Sequence, residues 1–406
     1  MKAYRVLLSH PSVRWLVAAA LTSRLVTPVL SLSLLLAVRA GYGSYALGGA
    51  VLAGYAFALA FAVPVAGRLV DRVRPRPVLL GCLAVHVAAY AVLLTALVLR
   101  APGPVLVGCA VLLGASTPPA GSVIRGTWSA VVPSEQVHTA YALDAVTNEA
   151  ALIGGPLLVA VLVTVVPAVL VVLVAGVGIT AGVLILSQTP AVKGRSGVTP
   201  GRAGSRVLGP LSDSGVRRLL AVVAFDSFSY GSLIVAITAT ATARHHPSAA
   251  GLLIAVMSVG VVVSGLVYGA RRRRADASRQ LAVLYAAGGV LMVGAGYASD
   301  LPVLGAALLA AGMVGGPRDT LVQLVLGEAA PPEQRTEAFA WMTTVMWSCY
   351  GLGTSAAGRF IGAGTGPARA TFLLAAAAAL LAAVVSVRVR TGRVPSAAAT
   401  RPAGGT

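Results

Sequence analysis

Apolar runs long enough to cross a bilayer recur along the chain at 15–38, 44–66, 78–99, 104–124, 139–162 and 166–187. A second group follows at 217–239, 248–269, 280–299, 302–325, 338–361 and 368–387. A membrane helix takes about 20 mainly apolar residues, so the pattern predicts twelve spans in two groups of six. Residues 188–216 between the groups are rich in Gly, Ser, Pro and Arg and lack an apolar face to pack, which predicts a flexible linker. The expected organisation is a six-helix bundle over 1–187, a cytosolic linker over 188–216, a second six-helix bundle over 217–390 and a flexible cytosolic tail over 391–406. The first run exceeds a signal-peptide core in length, contains Arg24 and is followed by many more spans, so it reads as a retained helix.

Composition sharpens this picture. Of 406 residues, 57% are hydrophobic and only 11% charged, against about 25% charged in ordinary soluble domains. The formal net charge of +19 sits mainly in short connectors instead of forming the continuous basic stripe that nucleic-acid binding requires. Basic residues are retained on the cytosolic side of a membrane, and an inside N-terminus leaves only Arg39, Arg100, Arg244, Arg359 and Arg369 near the outer face. Both termini and the linker are therefore expected in the cytosol, in a prokaryotic cytoplasmic membrane. Cys82, Cys109 and Cys349 lie inside apolar runs with no disulfide or metal-ligand spacing. The adjacent His245 and His246 fall in an expected outer loop, and no phosphate-cradling P-loop is present. An enzyme, a resident cofactor and direct ATP drive are not expected.

Sliding the chain on itself by 198 residues places Gly67 on Gly265, Arg74 on Arg272, Arg76 on Arg274, Gly114 on Gly312 and Pro119 on Pro317. Pro133, Glu135 and Gln136 fall on Pro331, Glu333 and Gln334 in the same register, with Tyr141 on Phe339 and Gly155 on Gly353. The halves read as a parallel repeat, the plan of carriers that rock two bundles about a central site.

The stretch from Gly67 to Arg76, GRLVDRVRPR, resembles the signature between helices two and three of the major facilitator superfamily, G-x-L-x-D-R-x-G-R-[RK]. Arg74 stands where the second glycine is usual. The resemblance implies an all-α membrane protein of twelve helices in two pseudo-symmetric bundles, moving a small organic substrate by alternating access with no obligatory protein partner. It also implies a conformational latch at Asp71, supported by Arg72. Gly67 permits close backbone approach, and Asp71 is placed to meet the positive N-terminus of helix eleven near Arg335 to Ala338. In the second half Gly269 and Ala270 replace Asp71 and Arg72, which argues against a symmetric latch. Ala151 to Pro156 in span five partly resembles the G-x-x-x-G-P motif of proton-driven antiporters, with Ala151, Val159 and Ala160 departing from it. Ala110 stands near the basic position of the family's fourth-helix motif, so that proton relay does not carry over.

An isolated charge at mid-bilayer costs about 3 kcal/mol on insertion scales, so each one retained needs a partner, a wet cavity or a function. Spans three, six, nine and twelve carry none in their middles, whereas span one has Arg24, span five Asp144 and Glu149, and span seven Asp226. Counting from Trp15 and Thr139 puts Arg24 and Glu149 almost level, and they are the expected ion pair, with Asp226 the competitor for Arg24. Asn148 shares a helix face with Asp144. Asp144 with Arg125, and Arg318 with Asp319, are candidates for a cytosolic gate. Tyr230, Trp341, Trp347 and Tyr350 offer aromatic surface either to an organic substrate or to packing. The function expected is proton-coupled efflux of a drug or metabolite across the bilayer, against the alternatives of metabolite uptake, facilitated diffusion, or a non-transporting receptor or scaffold.

Overall fold

The computed structural model describes residues 2–194, 209–246, 249–271, 276–362 and 368–389. The expected tail, most of the expected linker, and Arg272 to Arg274 lie outside the described residues. The first half comprises α1 (Lys2–Ser9), α2 (Pro11–Tyr42), α3 (Tyr45–Arg72), α4 (Pro75–Val98), α5 (Gly103–Ala115), α6 (Ala120–Val131), α7 (Ser134–Leu162), α8 (Ala168–Gln188) and the short α9 (Pro190–Lys193). The second comprises α10 (Ser214–Ala243), α11 (Ala249–Gly269), α12 (Ala277–Gly296), α13 (Leu301–Ala329), α14 (Arg335–Gly362) and α15 (Ala368–Ser386). Among the described residues, eleven spans are long and apolar enough to cross a membrane, α5 and α6 together forming one of them. The more polar α14 runs among them as the twelfth.

Two local features depart from the expected spans. Span four is broken between α5 and α6 at Ser116–Pro119, because Pro118 and Pro119 lack the N–H groups that would continue the helix. The amino-terminal α1, apolar on one face with Leu7 fully buried, precedes the first span as a separate helix. Three of the chain's twelve acidic residues, Asp213, Asp276 and Asp300, cap the starts of α10, α12 and α13 by accepting backbone N–H bonds. These acids satisfy helix ends, leaving only a few to carry charge elsewhere.

The two halves repeat each other's packing. In the first, α2 lies on α7 and α8, α3 on α5, and α4 on α8; in the second, α10 lies on α14 and α15, α11 on α13, and α12 on α15. Gly114 of α5 and its repeat mate Gly312 of α13 sit directly against backbone carbonyls of Tyr55 on α3 and Met257 on α11, where any side chain would collide. The outer surface is apolar: Phe57, Phe61 and Val65 of α3, four residues apart on one helical face, are all exposed, as a lipid-facing stripe requires. The halves meet through α3 with α14 and α7 with α11, reinforced by α6 with α14 and α7 with α13. Alternating chain direction puts the ends of α3, α11 and α13 and the starts of α7 and α14 on one face, the one that also carries α1.

Candidate functional site

Inside the first half, Asp144 of α7 is fully buried and its carboxylate is saturated. Its Oδ1 accepts from Arg24 Nη2 at 2.6 Å and from Trp128 Nε1 at 2.9 Å, and its Oδ2 lies 3.3 Å from Arg125 Nε. Arg24 Nη1 also donates to the Asp144 carbonyl and to Thr147 Oγ1. Two guanidiniums thus surround one carboxylate, and the side chains of Arg24, Arg125 and Asp144 are only 7%, 8% and 0% exposed.

The second half holds a different group. Arg318 of α13 lies 3.0 Å from Asp226 of α10 and 3.4 Å from Asp319 of its own helix, with its guanidinium 5.2 Å from the centre of the Tyr285 ring. Two carboxylates surround one guanidinium, and Asp226 and Asp319 keep 19% and 39% of their side-chain surface open. Glu149 of α7 faces this group from the other half. Its Oε1 accepts from Ser258 Oγ of α11 at 2.6 Å, and it interacts electrostatically with Asp319 and Arg318. The Tyr230 ring lies 5.9 Å from that of Tyr350. Among the described residues, no group of three or more His, Cys, Asp or Glu is arranged to hold a metal ion.

On the α1 face the halves are bolted together. Asp71 Oδ2 at the end of α3 accepts from Glu337 N, 2.9 Å away in the first turn of α14, where the helix presents its unsatisfied N–H groups and positive dipole end. Arg68, one turn earlier, donates to Glu337 Oε1 from Nε and Nη2 at 2.9 and 2.7 Å. Gly67 makes the approach possible, since a Cβ there would press on Ala340 and on the Thr336 carbonyl. Further in, Pro64 has no N–H to give the Ala60 carbonyl, and Thr344 of α14 supplies the donor at 2.9 Å. Arg335 Nη1 reaches Ser129 Oγ at 2.7 Å, and Arg125 Nη1 reaches Thr343 Oγ1 at 3.3 Å.

The second crossing has reversed polarity. The last-turn carbonyls of α11 accept from the first half: Tyr268 O from His138 Nε2, Gly269 O from Thr139 Oγ1, and Leu266 O from Tyr4 Oη of α1. Burial pushes the Tyr4 hydroxyl up to about 12, so it remains a donor at neutral pH. A cavity of about 840 Å³ opens on this face beside Ser129, His138, Arg271, Glu328 and Arg335, well away from the Arg318 group.

The sequence profile of the Major Facilitator Superfamily matches residues 16–225 and 219–405, almost the whole chain. The chain belongs to the major facilitator superfamily. The fold is shared with a bacterial homologue of the iron transporter ferroportin in an outward-facing state, with a TM-score of 0.74 at 14% identity over 93% of this chain and 98% of that one. It is shared too with the human organic anion transporter MFSD10 (TETRAN), at TM-score 0.69 and 17% identity over 93% and 99% of the two chains. The E. coli fucose:proton symporter FucP gives TM-score 0.69 at 15% identity over 92% and 98%. No curated protein matches by sequence. At these identities the structural likeness speaks for the fold alone. This superfamily member is a multi-pass membrane protein built as a secondary transporter, not an enzyme.

Within that frame several expected partnerships change. Arg24 pairs with Asp144, not with Glu149 or Asp226. Asp144 and Glu149 are five residues apart, about 140° around the helix, so one looks into its own bundle while the other looks across to α11. Asp226 pairs with Arg318 inside its own half. Arg318 and Asp319 are not near the α1 face: Asp319 is ten residues from the end of α13, about 15 Å along its axis. Arg72 is exposed and takes no part in the Asp71 contact, where Arg68 stands instead. Asn148 is half-buried and joins neither charge group. Arg68, Glu337, Thr344, His138 and Thr139 were not singled out from sequence. Pro64 was the available sign for Thr344, because a mid-span proline always frees one carbonyl.

Proposed function

We propose that this superfamily member is a proton-coupled exporter of a small organic molecule, set in the cytoplasmic membrane with its α1 face in the cytosol. The observation that carries the reading is that Asp226 and Asp319 share one guanidinium, Arg318, in the second half, while Glu149 of the first half reaches across to Ser258 of α11 with no basic partner of its own. Surplus negative charge in a low-dielectric region is tolerated only by taking up protons or a cation, which supplies the coupling step. The arginine-rich ends of α3 and α11 support a cytosolic α1 face. In that orientation Asp71, Arg68, Glu337, Thr344, His138 and Thr139 close the cytosolic side, and the return to an inward-open state requires these bonds to part.

The test is retention of a panel of fluorescent dyes and antibiotics by cells expressing the chain or an equally abundant Glu149→Gln variant, with and without a proton gradient. Efflux that depends on the gradient and is lost in the variant is the expected result. Gradient-driven accumulation would reverse the direction, and absence of flux for every compound would overturn the exporter reading.

A further inference from the structure

We propose that α1 is a strap: its inner face ties the two halves together through Tyr4, and its outward flank is seated by anionic lipid headgroups. The inference rests on the reading that the α1 face opens and closes during transport, and it adds a lipid partner to that step.

The strap is packed on the first half and bonded to the second. The extended backbone at His10 and Pro11 at the start of α2 turn the chain between the two helices, and α1 lies on α2 and α7. Leu7 is fully buried in that packing, and Tyr4, one turn away, is only 8% exposed. Tyr4 Oη reaches across to Leu266 O, 3.0 Å away in the last turn of α11. That carbonyl already accepts from Ala270 N, so the helix end does not need Tyr4 to be satisfied, and the bond serves the crossing. The seat is cut to fit, since a Cβ at Gly269 would collide with the Tyr4 hydroxyl and with Ala142 of α7.

A helix of eight residues is too short to hold its shape alone in water, so the position of Tyr4 depends on what covers the rest of α1. At about 100° per residue, Ala3 and Val6 share one flank and line the cavity between the halves. Arg5 and Leu8 lie on roughly the opposite flank, turned outward, and both are exposed. The start of α2 fixes the level of this flank. Arg14 and Trp15 are exposed there, and a tryptophan at a span end sits among the headgroups. With only His10 between α1 and α2, the outward flank meets the same layer, offering Arg5 to phosphate and Leu8 to the acyl boundary.

Lipid then acts on the halves through the strap. Headgroups that seat the flank raise the share of molecules with α1 docked, and only a docked α1 presents Tyr4 to Leu266. The effect of lipid on opening is therefore bounded by the effect of the Tyr4 bond itself.

The test uses the full chain with Val137→Cys beside the cavity and no native cysteine, in nanodiscs of phosphatidylcholine with or without phosphatidylglycerol. Adding phosphatidylglycerol is expected to slow alkylation severalfold. Tyr4→Phe should speed alkylation by about fivefold in the anionic discs and erase the lipid dependence. Arg5→Glu should lose most of the slowing by phosphatidylglycerol, and Arg5→Lys should keep it. An unchanged rate in Tyr4→Phe would overturn the strap. Equal rates for the unmodified strap in the two lipids, or a lipid dependence that survives Tyr4→Phe, would overturn the lipid seat. If Asp71→Asn speeds alkylation and Tyr4→Phe does not, closure of the α1 face stands and the strap falls. If the predicted alkylation pattern holds but no gradient-driven flux occurs, the exporter reading falls and the strap stands.

Discussion

The first half buries two guanidiniums around one carboxylate, and the second sets two carboxylates around one guanidinium. Asp144 is fully enclosed and receives bonds from Arg24, Arg125 and Trp128. Asp226 and Asp319 share Arg318 at longer distances and keep part of their surface open, with Glu149 opposite. A saturated, sealed carboxylate has nothing to exchange, and its bonds tie α2, α6 and α7 together. An under-compensated, accessible group has a choice of cations, which is what a coupling site needs. The lesson is that depth in the membrane does not decide the role of a charge; the number of its fixed partners does.

Three substitutions can break or sharpen that contrast. The largest effect belongs to Asp144→Ala, which strands two buried guanidiniums and should cost about 3–5 kcal/mol, read as a collapse of thermal stability in detergent. Arg24→Met should be clearly milder, because Asp144 keeps Arg125 and Trp128; equal losses would dissolve the claim that this group is over-supplied with cations. Next comes Asp319→Asn, expected to change stability by no more than about 1 kcal/mol while gradient-driven efflux disappears. A severe folding defect there would make the second group structural as well.

Smaller effects belong to the contacts that join the halves on the α1 face. Asp71→Asn removes the negative charge facing the start of α14, worth about 1 kcal/mol, and should shift the closed-to-open ratio about fivefold. The readout is alkylation of Val137→Cys beside the α1-face cavity, in a background lacking the three native cysteines, with faster labelling expected. Thr344→Val leaves the Ala60 carbonyl without its donor and should raise the same labelling rate less, by about twofold, for a loss of about 0.5 kcal/mol. If Thr344→Val opens the face more than Asp71→Asn does, the latch is centred on the Pro64 break and not on the acid.

Much of the fold was legible in the residues because membrane spans announce themselves. Apolar run lengths locate the helices, and the Pro-x-Glu-Gln recurrence reveals the repeat that the paired packing of α2 with α8 and α10 with α15 displays. The approach of Asp71 to α14 was legible for a similar reason: a signature acid at a helix end has one obvious electrostatic target, a neighbouring helix start. Side-chain pairings were not. Counting residues estimates depth but ignores direction around the helix, and the turn of about 140° between Asp144 and Glu149 sends them to different partners. Arg68 with Glu337, and the α11 carbonyls with His138 and Thr139, join elements far apart in sequence. Their register is set by how the two bundles dock, which no local pattern records. The α5–α6 break could have been read from Pro118 and Pro119, but the surrounding apolar run masks it when hydropathy alone is followed.

Proton-driven efflux by equal amounts of folded Arg24→Met and Asp319→Asn protein, reconstituted in vesicles with an imposed pH gradient, tests the division of labour most directly. Transport retained by Arg24→Met and abolished in Asp319→Asn is the predicted result. Transport retained by Asp319→Asn and lost in Arg24→Met would place coupling in the sealed group of the first half and contradict the account.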